Sequence, residues 1–163
     1  MKMASSTEAC NAAVSISKLA GCSGLALVAR LADGSIRRPP MAETLPFTLL
    51  PPEEGKVGLL ATPEPRFCNL TNTVHGGWIM TMLDTAMALA AQTTLSPGET
   101  CPSHETTAKF VHPILTDSCV MRVTGQVVSR GRTVITLEGR IEDAEGRLHA
   151  HGTSTCLVVS RKP

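Results

Sequence analysis

The segment from Gly77 to Leu95 constrains the fold more than any other part of this chain. It is rich in Met, Leu and Ala, which are good helix formers, and Ser96-Pro97-Gly98 stops it. Between Trp78 and Ala91 only Thr81, Asp84 and Thr85 interrupt the apolar surface. A helix that is hydrophobic on every side must be surrounded. It is too short, and too polar at its end, for lipid to do the surrounding. The remainder of the chain therefore has to wrap it.

The carboxy-terminal half can supply that wrapping. His104 to His112 is strand-like and ends at Pro113. From Cys119 to Val127, the residues Cys119, Met121, Val123, Gly125 and Val127 face one way, opposite Arg122, Thr124 and Gln126. Ile135, Leu137, Gly139 and Ile141 then alternate with Thr136, Glu138 and Arg140, and Leu148 to Val159 forms a last strand. Turns are expected at Ser129-Arg130-Gly131 and at Asp143-Ala144-Glu145-Gly146. Upstream, Phe47 to Leu50 and Val57 to Thr62 flank a turn at residues 51–56, and residues 63–76 form an irregular loop. The pattern predicts an α+β fold, a curved antiparallel sheet closed round one wholly buried helix.

Nearer the amino terminus, residues 1–13 lack periodicity and are expected to fray. Val14 to Ala32 has a helical tendency ended by Asp33-Gly34 and Pro39-Pro40, so residues 14–45 read as a leader helix and connector before a main domain at 46–163. With 163 residues the chain is one ordinary domain in size, and it has no internal repeat.

Fifteen basic against fourteen acidic residues leave a formal charge of +1, which gives no reason to invoke nucleic acid or an anionic membrane as a partner. Three Phe, one Trp and no Tyr make no base-stacking platform. The six cysteines form no C-x-x-C pair and no zinc-like spacing, as expected for packed thiols in a reducing cytoplasm. Leu19-Ala20-Gly21-Cys22 is shaped like a lipoprotein cleavage box. Glu8, Asn11 and Lys18 interrupt the apolar stretch that such a signal needs, so a cytosolic helix is the expectation.

The chemistry is expected where the loop Asn69-Leu70-Thr71-Asn72-Thr73-Val74-His75-Gly76-Gly77 meets the helix. Paired glycines at a helix start let a ligand approach the backbone, where unpaired N–H groups and the helix dipole point at it. Such donors stabilise a carbonyl oxygen as it becomes an oxyanion. A loop that merely turns into a helix has the same dipeptide. Asp84 lies nine residues after His75, where it cannot be an N-cap and is costly to bury unpartnered. A structural acid, or one lining a subunit contact, also satisfies that position.

The string from Asn69 through His-Gly-Gly to Asp84 resembles the hotdog-fold acyl-CoA thioesterases of the phenylacetate-degradation type, in the 4-hydroxybenzoyl-CoA thioesterase-like superfamily. Ser103-His104-Glu105 with Lys109-Phe110 through Pro113, Ser129 to Arg132, and Glu142 to Arg147 continue the likeness, which covers residues 21–159. Gly24 to Leu45 resembles the leader helix of one bacterial branch. The resemblance implies that Asp84 activates water or attacks the thioester carbonyl directly. It implies that Gly76 N–H binds the carbonyl oxygen ahead of Gly77, that Asn69 helps hold carbonyl or water, that His75 orders the loop, and that Ser103 assists Asp84. It further implies that two subunits join their sheets, that each site combines the loop of one with the acid of the other, and that dimers pair into tetramers. The family often has Gly where this chain has Asn72, and Asn tolerates the left-handed backbone.

Trp78 is expected to pack near the acyl pocket. Arg130, Gly131 and Arg132 at a hairpin offer contacts to coenzyme A phosphates, although solvated turn charges look the same. His149 and His151 share a side of a strand but lack a third ligand, so no metal is expected. Cys68 reads as packed rather than nucleophilic. The expected activity is hydrolysis of acyl-CoA to acid and coenzyme A, with no cofactor beyond the substrate's own coenzyme A. The rivals are a domain that binds acyl-CoA without turnover and an enoyl-CoA hydratase or dehydratase on the same fold.

Overall fold

The computed structural model describes residues 21–116 and 120–160. Helix α1 (Gly24–Ala32) opens at Ser23, whose Oγ accepts from Ala26 N at 3.3 Å. Next come α2 (Pro40–Thr44), with proline in its first turn, then β1 (Thr48–Leu49), β2 (Lys56–Ala61) and a 3-10 turn at Pro65–Phe67. Helix α3 (Gly76–Thr93) is followed by β3 (Glu99–Thr100), β4 (Ser103–Phe110), β5 (Met121–Arg130), β6 (Val134–Glu142), β7 (Leu148–Leu157) and β8 (Val159–Ser160).

Six strands form one antiparallel sheet in the order β1-β2-β5-β6-β7-β4, and β3 pairs with β8 separately. α3 packs on β2, β4, β5, β6 and β7. This is the expected α+β hotdog arrangement, a curved sheet around a long central helix. Alternation along β5 and β6 behaves as the sequence pattern predicts, with Met121, Val123, Gly125, Ile135, Leu137, Gly139 and Ile141 buried and their neighbours turned outward.

The helix can lie close because the middle of one rung of the sheet lacks side chains. Val57 pairs with Gly125, Gly125 with Gly139, Gly139 with Gly152, and Gly152 with Ala108. A Cβ at Gly125 would stand 2.3 Å from the carbonyl of Ala86, so β5 touches the helix backbone itself. At Gly139 and Gly152 the space is taken by Leu83 and Met87. Three glycines in register thus seat the middle of α3, one residue from Asp84.

Four expectations need correction. The leader helix does not run through residues 21–23: Gly21 and Cys22 lie outside it, and helix begins after the Ser23 cap; its portion before residue 21 falls outside the described residues. Pro39-Pro40 does more than stop a helix, because Pro40 starts the short α2. The last strand is two, β7 and β8, with β8 leaving the main sheet for β3. Finally, α3 is not wholly buried. Ile79, Met82, Leu83, Ala86, Met87 and Ala90 are enclosed, whereas Met80, Thr81, Asp84, Thr85 and Ala88 on another face are half-buried. Among the described residues no helix is long and apolar enough to cross a membrane.

Candidate active site

The loop before α3 is held by Asn69. Its Oδ1 accepts from Thr71 N at 2.9 Å, Thr71 Oγ1 at 2.8 Å and Thr73 N at 3.2 Å, while Nδ2 donates to Thr73 Oγ1 at 2.8 Å. An Asn side chain closes such turns by standing in for backbone. Asn72 takes the left-handed conformation at φ 57°, as its residue type allows. The loop is anchored by Val74 N on Ile114 O and His75 N on Phe67 O, at 2.9 and 2.8 Å.

His75 is the N-cap of α3. Its Nδ1 accepts from Gly77 N at 2.9 Å, which satisfies one of the orphan donors of the first turn. A Cβ at Gly77 would lie 3.0 Å from that nitrogen, so glycine leaves room for the cap. Gly76 N–H has no partner among the described residues, and of the two glycines it is the one with a donor to offer. A Cβ at Gly76 would meet the ring of Phe110 at 3.1 Å. Phe110, 56% exposed at the end of β4, therefore flanks this corner. Trp78 is 4% exposed, and its buried Nε1 has no partner among the described residues.

Asp84 projects from the half-buried face of α3 toward β4. Thr106 Oγ1 donates to its Oδ1 at 2.9 Å and lies 3.0 Å from Ser154 Oγ, and Ser154 Oγ donates to Glu105 O at 2.9 Å. Ser103 lies opposite Cys156 on β7, and Asp84 is near enough to bear electrostatically on that thiol. Cys101 and Cys156 lie against each other: Cys156 first, and burial second, push the Cys101 thiol well above its usual range. Such a thiol stays protonated and packs as a small apolar group.

No motif in the sequence singles out Thr106. A register shift between Ser103 and Glu105 breaks the alternation, so that Ser103 opposite Cys156 and Thr106 opposite Ser154 share the inner face. Strict period-two reading puts them on opposite faces.

The other expected residues lie elsewhere. Arg130 Nη2 is 3.5 Å from Glu99 Oε2 and its Nη1 donates to Gly131 O, whereas Arg132 is exposed at the β5–β6 hairpin. His149, 7% exposed, sets Nε2 3.0 Å from Asp143 Oδ2 and Nδ1 3.1 Å from Pro113 O. Among the described residues no three His, Cys, Asp or Glu are gathered to hold a metal. Cys68 is half-buried and bridges Val74.

The family model described as the thioesterase superfamily matches residues 71–150, from the loop through the first part of β7. A Saccharolobus solfataricus protein provisionally described as an esterase is 26% identical over 110 residues, covering 68% of this chain and 76% of the relative. A Ralstonia eutropha JMP134 structure, provisionally described as a thioesterase related to phenylacetic acid degradation, superposes with a TM-score of 0.73 at 26% identity, covering 80% of this chain and 98% of its own. A Streptococcus mutans UA159 protein solved with acetyl-CoA bound has the same fold, with a TM-score of 0.65 at 20% identity over 72% of this chain and 91% of its own.

Proposed function

This chain belongs to the thioesterase superfamily, and from that premise we propose that it hydrolyses acyl-coenzyme A to free acid and coenzyme A with Asp84 as the catalytic carboxylate. The observation that carries the reading is Asp84 itself, the one charged residue of α3 and on its open face, with Thr106 donating to its Oδ1. That bond occupies one oxygen of the carboxyl and leaves the other to act on water as a general base. Asp84 removes a proton from water, and the resulting hydroxide attacks the thioester carbonyl carbon. The oxyanion rests on Gly76 N–H at the positive end of α3. As the carbonyl re-forms, the C–S bond breaks, and the leaving thiolate takes the proton from Asp84.

Gly76 and Asp84 of one chain cannot share a carbonyl. Eight residues of helix separate them by roughly 12 Å, whereas both groups must come to about 3 Å from the reacting centre. The reading therefore requires two copies, with the loop of one facing Asp84 of the other. A sheet ending at β4, whose outward residues are exposed, offers the edge on which a second copy would extend it. Such dimers would pair again into tetramers, as the family resemblance implies. Ser103, on the inner face of that edge strand, is a second hydroxyl for the water. Asn69 acts by closing the loop and His75 by capping the helix.

Acetyl-CoA in the Streptococcus mutans relative supports an acyl-CoA ligand. Arg130 and Arg132 are the hairpin cations available to its phosphates, with Gly131 between them, and Trp78 borders the acyl side. The reaction needs no cofactor. Unpaired cysteines at 22, 68, 101 and 156 suit a cytoplasmic location.

Thiol release from a panel of acyl-CoAs tests the reading. Asp84→Ala should lower the rate by a factor on the order of a hundred to ten thousand. Wild type no faster than Asp84→Ala on every chain would refute it. Tight binding of intact acyl-CoA without product would identify a binding domain, and hydration of an enoyl-CoA would identify a hydratase.

A further inference from the structure

We infer that Thr106, backed by Ser154, is the positioning residue for the Asp84 carboxylate, fixing Oδ1 so that Oδ2 is presented to the reacting water. This rests on the thioesterase reading and deepens it.

The geometry distinguishes the two carboxylate oxygens. Oδ1 accepts from Thr106 Oγ1 at 2.9 Å, and Oδ2 has no hydrogen-bond partner among the described residues. The terminal torsion of an aspartate is broad, so one directed bond on one oxygen sets the plane of the group. Asp84 needs such a restraint because it stands on a half-buried face, where packing does not lock it.

Proton accounting supports the direction of that bond. Ser154 carries one proton, which reaches Glu105 O at 2.9 Å or Thr106 Oγ1 at 3.0 Å. Either choice leaves the Thr106 proton for the carboxylate, and an ionised carboxylate can only accept. Ser154 is itself buried and pairs directly with Thr106 across β4 and β7. Behind the hydroxyl on Asp84 there is thus a second hydroxyl at 3.0 Å, which supports it when the Ser154 proton turns from Glu105 O to Thr106 Oγ1. Valine would occupy the same volume as Thr106, so packing alone gives no reason for a hydroxyl here.

Steady-state kinetics on the acyl-CoA that wild type hydrolyses fastest test this, using full-length Thr106→Val, Thr106→Ser, Ser154→Ala and Asp84→Ala. Thr106→Val should lower kcat about tenfold with little change in KM, the size expected for one hydrogen bond to a charged group. Thr106→Ser should restore most of that loss, and Ser154→Ala should lower kcat less, again at constant KM. If Thr106→Val does not fold, the other two variants decide: the inference stands on a near-wild-type kcat for Thr106→Ser with a reduced one for Ser154→Ala. It is overturned if Thr106→Val keeps the wild-type kcat while Asp84→Ala is inactive, an outcome that leaves the thioesterase reading intact. It is equally overturned if Thr106→Ser is as impaired as Thr106→Val, or if Ser154→Ala matches wild type where Thr106→Val is lost. Wild type and Asp84→Ala equally slow would remove the thioesterase reading and this inference together.

Discussion

Gly125 lies so close beneath Ala86 that a Cβ built on it would stand 2.3 Å from the Ala86 carbonyl carbon and oxygen. Backbone cannot yield there without shifting α3 along the sheet. Gly139, its partner across β6, differs: a Cβ would meet Leu83 Cδ2 and Met87 Cγ at 3.1 Å, and those are side chains able to turn. Gly125→Ala should therefore destabilise by about 3 kcal/mol, and Gly139→Ala by less than about 1.5 kcal/mol. Urea denaturation midpoints would check the order. Equal losses would mean that the helix does not rest on β5.

The His75 ring caps α3 through Gly77 N. Removing a cap costs about 1 kcal/mol, so His75→Ala should lose that much stability. His75→Ser can restore the cap with its hydroxyl, and stability should return with activity within a few-fold of wild type. Melting temperature and thiol-release rate, measured side by side, decide the matter. A stable His75→Ser as inactive as Asp84→Ala would assign the imidazole a direct part in the chemistry.

Local residues announce the skeleton of this site but not its contacts. The apolar run from Trp78 to Ala91 with Asp84 inside it marks the central helix and its acid, and the period-two burial of Met121, Val123, Ile135 and Leu137 marks the strands that cover it. Those signals are short-range, carried by side-chain polarity along one element. Thr106 is invisible at that range because its facing depends on the shift between Ser103 and Glu105, which arises only from pairing with β7, some fifty residues onward. The pairing of Glu99–Thr100 with Val159–Ser160 is equally long-range. The open face of α3 is hidden for a related reason: apolar composition states that a helix must be covered, not which chain covers it.

If each site uses the loop of one copy and the acid of another, two dead variants should rescue each other. Asp84→Ala keeps a sound loop, and Gly76→Pro keeps a sound acid but removes the N–H offered to the oxyanion, at a first helical position behind an extended His75 where proline is tolerated. In a mixed dimer one site receives both intact halves and the other receives neither. Random reassociation of equal amounts makes about half of the dimers mixed, so about a quarter of wild-type activity should appear. Thiol release after co-refolding or co-expression measures it. Activity no greater than the sum of the separate variants would place both groups in one chain, which the helix length forbids, and would thereby dismiss Gly76 or Asp84 from the site.

Asp143 ties the β6–β7 turn to the core through His149. Its Oδ2 lies 3.0 Å from His149 Nε2, and its Oδ1 accepts from Arg147 N at 2.8 Å and Glu145 N at 3.1 Å. His149, and after it the Arg147 amide, hold the carboxyl below its ordinary value of 3.8. A carboxyl depressed on folding releases its proton more readily folded than unfolded, so its contribution is complete above the unfolded value and declines as pH falls through the lower folded one. Asp143→Asn should therefore be less stable than wild type at pH 7 and at pH 5, with the difference narrowing once the pH drops below 3.8. Denaturant midpoints for both proteins across that range report it. A difference that stays constant from neutral pH into acid would show that the Asp143 charge does not hold this turn.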